Sequence, residues 1–283
     1  MTLARTRDLV DAAVASRSAV LAFNVITLEH AEGVVAGLER AGVPGLLQVS
    51  ENAVRYRHGH HEPLLAACQE LCAAATVPVA LHLDHVQDEE LLRLGIGTAW
   101  RYGVSSVMVD AAHLAYDDNV AATATWGRDA HAAGLWVEAE LGEVGGKDGA
   151  HAPGVRTDPD EAARFVAATA VDGLAVAVGS SHAMVTATAS LDLDLVARLA
   201  TSVPVPLVLH GSSGVPHDVL QEAVRAGIRK VNVGTALNVA LTEQVRRVLR
   251  DDERVTDPRR YLAAGRDAVA DAVAATCAVV LAA

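Results

Sequence analysis

The stretch PVALHLDH, residues Pro78 to His85, is a short apolar run that ends in a carboxylate followed by an imidazole. It reads as a strand buried on both faces, because its apolar residues are continuous where a half-exposed strand would alternate. Buried charge needs hydrogen bonds, a partner or a metal. Asp84 and His85 therefore pose the question of what the rest of the chain brings to them.

Working outward, runs of the same kind recur at Val20 to Val25, Gly45 to Ser50, Val79 to His85, Ser106 to Ala111, Trp136 to Gly142, Gly173 to Gly179, Pro206 to Gly211 and Lys230 to Thr235. Each is followed by an Ala-rich, charge-punctuated helical stretch. A helix over Leu3 to Ala15 precedes the first run and another, Pro258 to Val280, follows the last unit. Consecutive strand-helix units with continuous apolar strands predict an α/β fold with a parallel sheet under helices, and eight such units close into a (β/α)8 TIM barrel. A doubly wound sheet is the alternative, but no G-x-G-x-x-G follows the first run. No Pro/Ser-rich linker interrupts the units, so residues 1-283 are expected to form one barrel domain with an extra helix at each end. The long irregular segment, Gly142 to Asp158, is Gly-rich and has the character of a lid or binding loop.

With 283 residues, 51% of them hydrophobic, the chain can bury a large core. Its formal net charge of −12 argues against nucleic acid and anionic membrane surfaces as partners. A small anionic substrate is still allowed, since helix N-termini and backbone nests bind phosphate whatever the global charge. Cys68, Cys72 and Cys277 make no disulfide framework, and no signal peptide or membrane span is read, which together predict a cytoplasmic protein.

In such barrels chemistry sits at the carboxyl ends of the strands. Reading those ends gives Asn24, Ser50, Asp84 with His85, Asp110, Glu140, His182, His210, and Asn232 with Thr235. The histidines of the third, sixth and seventh units would meet at one rim, and three imidazoles leave an open position on a tetrahedral Zn2+, the arrangement of a catalytic site. His82 is read as packing or as support behind the ligands, and the HGHH run at His58 to His61 as a solvated loop. The turns Gly211-Ser212-Ser213-Gly214 and Asn232-Val233-Gly234-Thr235 are positioned to hold a phosphate. A metal beside a carboxylate suits loss of a C-H proton or C-C bond next to a ketone, with Asp84 moving the proton of the departing aldehyde's hydroxyl. The alternative, a lysine Schiff base, is disfavoured. Lys147 lies in the Gly-rich loop, and Lys230 begins the eighth run at the wrong end of the barrel.

AFNV at Ala22 to Val25, PVALHLDH, SSVMVDAAH at Ser105 to His113, VEAELG at Val137 to Gly142, LAVAVGSSH at Leu174 to His182, PLVLHGSSGVP at Pro206 to Pro216 and KVNVGT resemble the class II, metal-dependent fructose-bisphosphate and tagatose-bisphosphate aldolases. The match runs through nearly the whole chain. The resemblance implies a glycolytic type of lyase, dimeric or tetrameric, that cleaves a phosphorylated ketose to dihydroxyacetone phosphate and an aldehyde. It implies Zn2+, with other divalent ions also fitting, and often a monovalent cation such as Na+ or K+. It makes His85, His182 and His210 metal ligands with Glu140 near the metal, and Asp84 the acid/base. Asn232 would face the dihydroxyacetone phosphate, with Gly211, Ser213 and Thr235 around its phosphate. Asn24, Ser50, Gly179 and Gly234 complete the substrate-binding candidates. Arg259 of DPRRYL resembles the arginine that reaches a neighbouring subunit's site and grips the second phosphate.

Two departures bear on the substrate. Where the family's lid has a glutamate that moves the substrate proton, GGKDG offers Lys147 and Asp148, making Asp148 the candidate base. After His182 the family commonly has glycine and then an aromatic, where this chain has Ala183 and Val185. Two alternatives stay open at this point: a non-catalytic metal-binding barrel that serves another enzyme, and a phosphosugar isomerase or lyase.

Overall fold

A computed structural model describes residues 3–142, 155–181 and 189–282. The chain runs α1 (Thr6–Ser16), β1 (Val20–Asn24), α2 (Leu28–Ala41), β2 (Gly45–Ser50), α3 (Glu51–Tyr56), α4 (Glu62–Ala74), β3 (Val79–Val86), α5 (Glu89–Tyr102), β4 (Val104–Val109), α6 (Tyr116–Ala132) and β5 (Trp136–Leu141). It continues with α7 (Pro159–Thr169), β6 (Gly173–Val176), α8 (Leu193–Ser202), β7 (Leu207–Leu209), α9 (His217–Ala226), β8 (Ile228–Val233), α10 (Thr235–Asp251) and α11 (Pro258–Val280). The eight strands pair in parallel in chain order and β8 closes onto β1, giving the (β/α)8 barrel.

Strand alternation divides the apolar residues into two cores. Leu81, Leu83, Val107 and Val137 face outward and pack under the helices. Val20, Ala22, Leu46, Ala80, Trp136, Ala175 and Val208 fill the barrel, and Leu9 and Val10 of α1 join them from below. Helix α1 is thus a stopper in the amino-terminal mouth. Thr6 fastens it, with its Oγ1 2.6 Å from Ser106 Oγ, which lies in turn 2.8 Å from His82 Nδ1. Burying the apolar face of α1 stabilises it at roughly 25 cal/mol per Å² removed from water. Side-chain caps begin α3, α5, α7, α8 and α11 at Ser50, Asp88, Asp158, Asp192 and Asp257, each contributing about 1 kcal/mol.

The structure corrects three expectations. Strands β4 and β8 begin two residues earlier than read, because Gly103 and Gly227, at φ 67° and 139°, turn the chain straight out of the preceding helices. Lys230 is consequently the third residue of β8, fully buried, with its ammonium among polar groups inside the barrel and not at the far end. His61 is not a solvated loop residue but is 3% exposed, 2.9 Å from Thr98 Oγ1 and edge-on to Tyr102. Helix α3 has no counterpart in the sequence pattern, because with 6 residues it is too short to show a helical period.

Candidate active site

Inside the barrel the inward positions change character with height. Below are the apolar side chains, then Gln48, His82, Glu138 and Lys230, all without solvent exposure, and at the carboxyl rim Asn24, Asp84, Asp110, Glu140, His210 and Asn232. Alternation along β3 sends Ala80, His82 and Asp84 inward, and would send His85 outward with Leu81 and Leu83. A register shift against β4 between Leu83 and Val86, and a left-handed φ of 49° at His85, redirect it. That conformation costs a non-glycine residue about 1–2 kcal/mol. The buried carboxylate of Glu51 offsets this by accepting from the backbone N–H groups of Gln87 and Asp88 at 2.7 and 2.8 Å, while its other oxygen pairs with Arg55 at 2.6 Å.

The redirected ring of His85 meets His210. Nε2 of the first and Nδ1 of the second lie 2.8 Å apart, the rings nearly perpendicular. The remaining nitrogens are held from behind: His85 Nδ1 by Asp110 Oδ2 and His210 Nε2 by Glu138 Oε1, both at 2.8 Å. With each carboxylate taking an N–H, both facing nitrogens carry lone pairs toward each other, an arrangement that calls for a proton or a cation between them. Donor atoms of Asp84, His85 and His210 all lie within 4.8 Å of one another. Two imidazoles and a carboxylate fit a divalent ion of the zinc type. His182 lies outside the described residues, as do Lys147 and Asp148. The structure therefore brings together two of the three expected histidines. Glu140 is buried at the rim end of β5 and its backbone carbonyl accepts from Asn119.

Burial alone would raise the Asp84 carboxyl, but the imidazoles of His85, His210 and His82 and the Lys230 ammonium outweigh it and hold it well below the usual carboxylate range. Its oxygens accept from Asn24 Nδ2 at 2.6 Å and Asn232 Nδ2 at 3.4 Å. Glu138, against the same penalty, is brought down to about 2 by Lys230 and His210. Burial and the Lys230 charge push His82 down to about 3, and burial and His85 lower His210. Asp84 and Glu138 are thus held toward the ionised form, and His82 and His210 are pushed toward the neutral form, the form in which an imidazole binds a metal.

The loops after β7 and β8 interlock beside it. Gly211 has φ 67°, and a Cβ there would stand 2.7 Å from the backbone of Ser181. Ser212 Oγ donates to Asn232 O, Ser213 Oγ accepts from Ala236 N at 3.0 Å, and a Cβ at Gly234 would approach Asn24 Oδ1 to 3.2 Å. Thr235 opens α10, whose N-terminus adds partial positive charge at this corner. Gly179, at φ 121°, has Ser190 O where a Cβ would go. Ser50 sits beside Asp84 in register and caps α3. Arg259 is not brought to this cluster; it is exposed and paired with Asp257 at 2.7 Å.

Sequence reasoning gave no role to Gln48, Glu51 or Glu138 and misplaced Lys230. A usable signal existed for Glu138, which is two residues before Glu140 on one strand and so shares its inward face.

The chain matches the profile of the family described as "Fructose-bisphosphate aldolase class-II" over residues 4–283. It is 37% identical to the fructose-bisphosphate aldolase of Geobacillus stearothermophilus over 95% of this chain and 93% of that one. To the enzyme of the same name from Staphylococcus aureus it is 35% identical, over 96% and 95%. Among solved structures it is similar to the YdjI aldolase of Escherichia coli K12, with TM-score 0.84, 30% identity and coverage of 98% and 97%.

Proposed function

Because this chain belongs to the class II fructose-bisphosphate aldolase family, we propose that Asp84, His85 and His210 form its catalytic centre, with His182 as the third imidazole on the metal and Glu140 close by. The protein is a metal-dependent aldolase, a carbon-carbon lyase acting on a bisphosphorylated ketose. The observation that supports this centre best is the 2.8 Å approach of two imidazole nitrogens, each backed by a carboxylate, beside Asp84.

A bound Zn2+ would supply Lewis-acid polarisation of the ketone and stabilise the negative charge left when the C-C bond breaks. Asp84, ionised before substrate arrives, takes the proton from the hydroxyl that becomes the aldehyde, and returns it in the condensation direction. Asn232 orients the dihydroxyacetone phosphate half. Its phosphate rests among Gly211, Ser213, Gly234 and Thr235, with Asn24, Ser50 and Gly179 shaping the same rim and Na+ or K+ as an auxiliary cation. Asp148 on the Gly-rich segment exchanges the proton at the triose phosphate carbon. Arg259, exposed on this chain, would serve the second phosphate of a neighbouring copy in a homodimer or homotetramer. Residues 1-283 act as one domain. No described helix is long and apolar enough to cross a membrane, and a cytoplasmic place fits the glycolytic chemistry.

Fructose 1,6-bisphosphate and its C4 epimer, tagatose 1,6-bisphosphate, are the substrates proposed. Cleavage of both by the zinc-loaded protein, abolished by chelator and restored by zinc, is expected. Turnover unaffected by full metal removal would refute the centre.

A further inference from the structure

Beneath the metal candidates lies the one buried lysine among the described residues. Its ammonium is 2.9 Å from Glu138 Oε2, 2.8 Å from Gln48 Oε1 and 2.7 Å from Asn232 Oδ1. We propose that Lys230 is a positioning residue that sets the direction of every side-chain amide around Asp84.

An ammonium has three N–H donors and no acceptor. Two of them go to Gln48 and Asn232 while Glu138 balances the charge, and a donor-only group admits no amide NH2 opposite it, so the amide oxygens of Gln48 and Asn232 must face Lys230 and their NH2 groups must face away. For Asn232 this aims Nδ2 at Asp84 Oδ1, 3.4 Å off; Nδ2 is also 3.2 Å from His210 Nε2, but Glu138 already takes the N–H of that nitrogen, so Asp84 is the acceptor. For Gln48 it aims Nε2 at Asn24 Oδ1 at 3.3 Å. Asn24, having accepted, presents its own Nδ2 to Asp84 Oδ2 at 2.6 Å. One donor-only group thus forces an N–H onto each oxygen of the carboxylate by two separate routes. Were either asparagine reversed, an amide oxygen would oppose a carboxylate oxygen, which is repulsive and would turn Asp84 out of place. The same bonds commit the ammonium, so Lys230 does not act as a nucleophile. The bland alternative is that Lys230 only neutralises Glu138, and the two roles are separable.

The inference rests on Asp84 being the acid/base. Lys230→Met keeps length and apolar volume and removes all donors. With the metal-loaded enzyme, kcat for cleavage is expected to fall on the order of a hundredfold, with KM within roughly threefold and zinc content equal to the parent's. A kcat within about twofold of the parent's overturns the proposal. In Lys230→Met with Glu138→Gln the unpaired buried charge is removed as well. Because Glu138 also holds His210, the reference is Glu138→Gln alone: a double variant with the kcat of that single variant means charge neutralisation alone and also overturns it, whereas a further deficit below it supports it. If neither folds, Gln48→Glu decides: it still accepts from Lys230 but offers no N–H to Asn24, so kcat must fall at unchanged zinc content. Asp84→Ala is run in parallel. Undiminished cleavage there defeats the acid/base reading itself, and an inactive Asp84→Ala beside a parental Lys230→Met defeats only the role of Lys230.

Discussion

His85 Nε2 and His210 Nδ1 face each other at 2.8 Å although the pleat of β3 directs residue 85 away from the barrel axis. Their meeting depends on a left-handed backbone at His85 and on two carboxylates, Asp110 and Glu138, that fix ring orientation from behind.

His210→Ala should lower zinc affinity by at least about a hundredfold, and Asp110→Asn by on the order of 10- to 100-fold, since the latter removes support and not a ligand. Competition titration against a chromophoric chelator measures both. Equal affinities in variant and parent would remove the residue concerned from the centre.

Asp84→Ala is expected to retain much of its zinc through the imidazoles while cleavage slows by roughly 10²- to 10⁴-fold. Metal analysis and steady-state kinetics on the same preparation test this together. Parental turnover would mean another group moves the hydroxyl proton.

Glu51→Ala should weaken both stability and the metal site. Two buried backbone N–H groups lose their acceptor, which costs on the order of 2–4 kcal/mol, and the strained turn at His85 is no longer braced. Urea denaturation should show the loss, with reduced zinc affinity in the folded fraction. A destabilised variant with parental zinc affinity would show that the turn holds without Glu51.

Acid stability should carry the mark of Glu138. Its folded pKa is depressed from 4.5 to about 2, so its contribution is present above pH 4.5 and is lost as pH falls toward 2. A shift of that size corresponds to about 3 kcal/mol. Denaturation midpoints between these pH values should fall more steeply with acid in the parent than in Glu138→Gln. Parallel slopes would show that the pair with Lys230 does not set the low pKa.

The barrel was legible because its strands are continuous apolar runs, and a period of one run per helix survives any error of a residue or two at the ends. The rim was legible for a related reason, since Asn24, Asp84, His210 and Asn232 each end such a run. Lys230 was misread because a strand edge placed two residues late turns a mid-strand side chain into a terminal one. Glu51 was beyond reach: its importance lies in two backbone N–H groups on a different loop, and no pattern along the chain marks that meeting. His85 is instructive in the same way. Strict alternation would have turned it outward, and only the bulge against β4, invisible to periodicity, aims it at the metal site.

The hydroxyl of Thr6 on the stopper helix leans on Ser106, and Ser106 on His82, 3.9 Å from the Asp84 carboxylate. The floor of the reaction chamber is therefore furnished by α1. Deleting α1 would leave the inner column open to solvent from beneath, and the damage would be felt at the opposite end of the barrel.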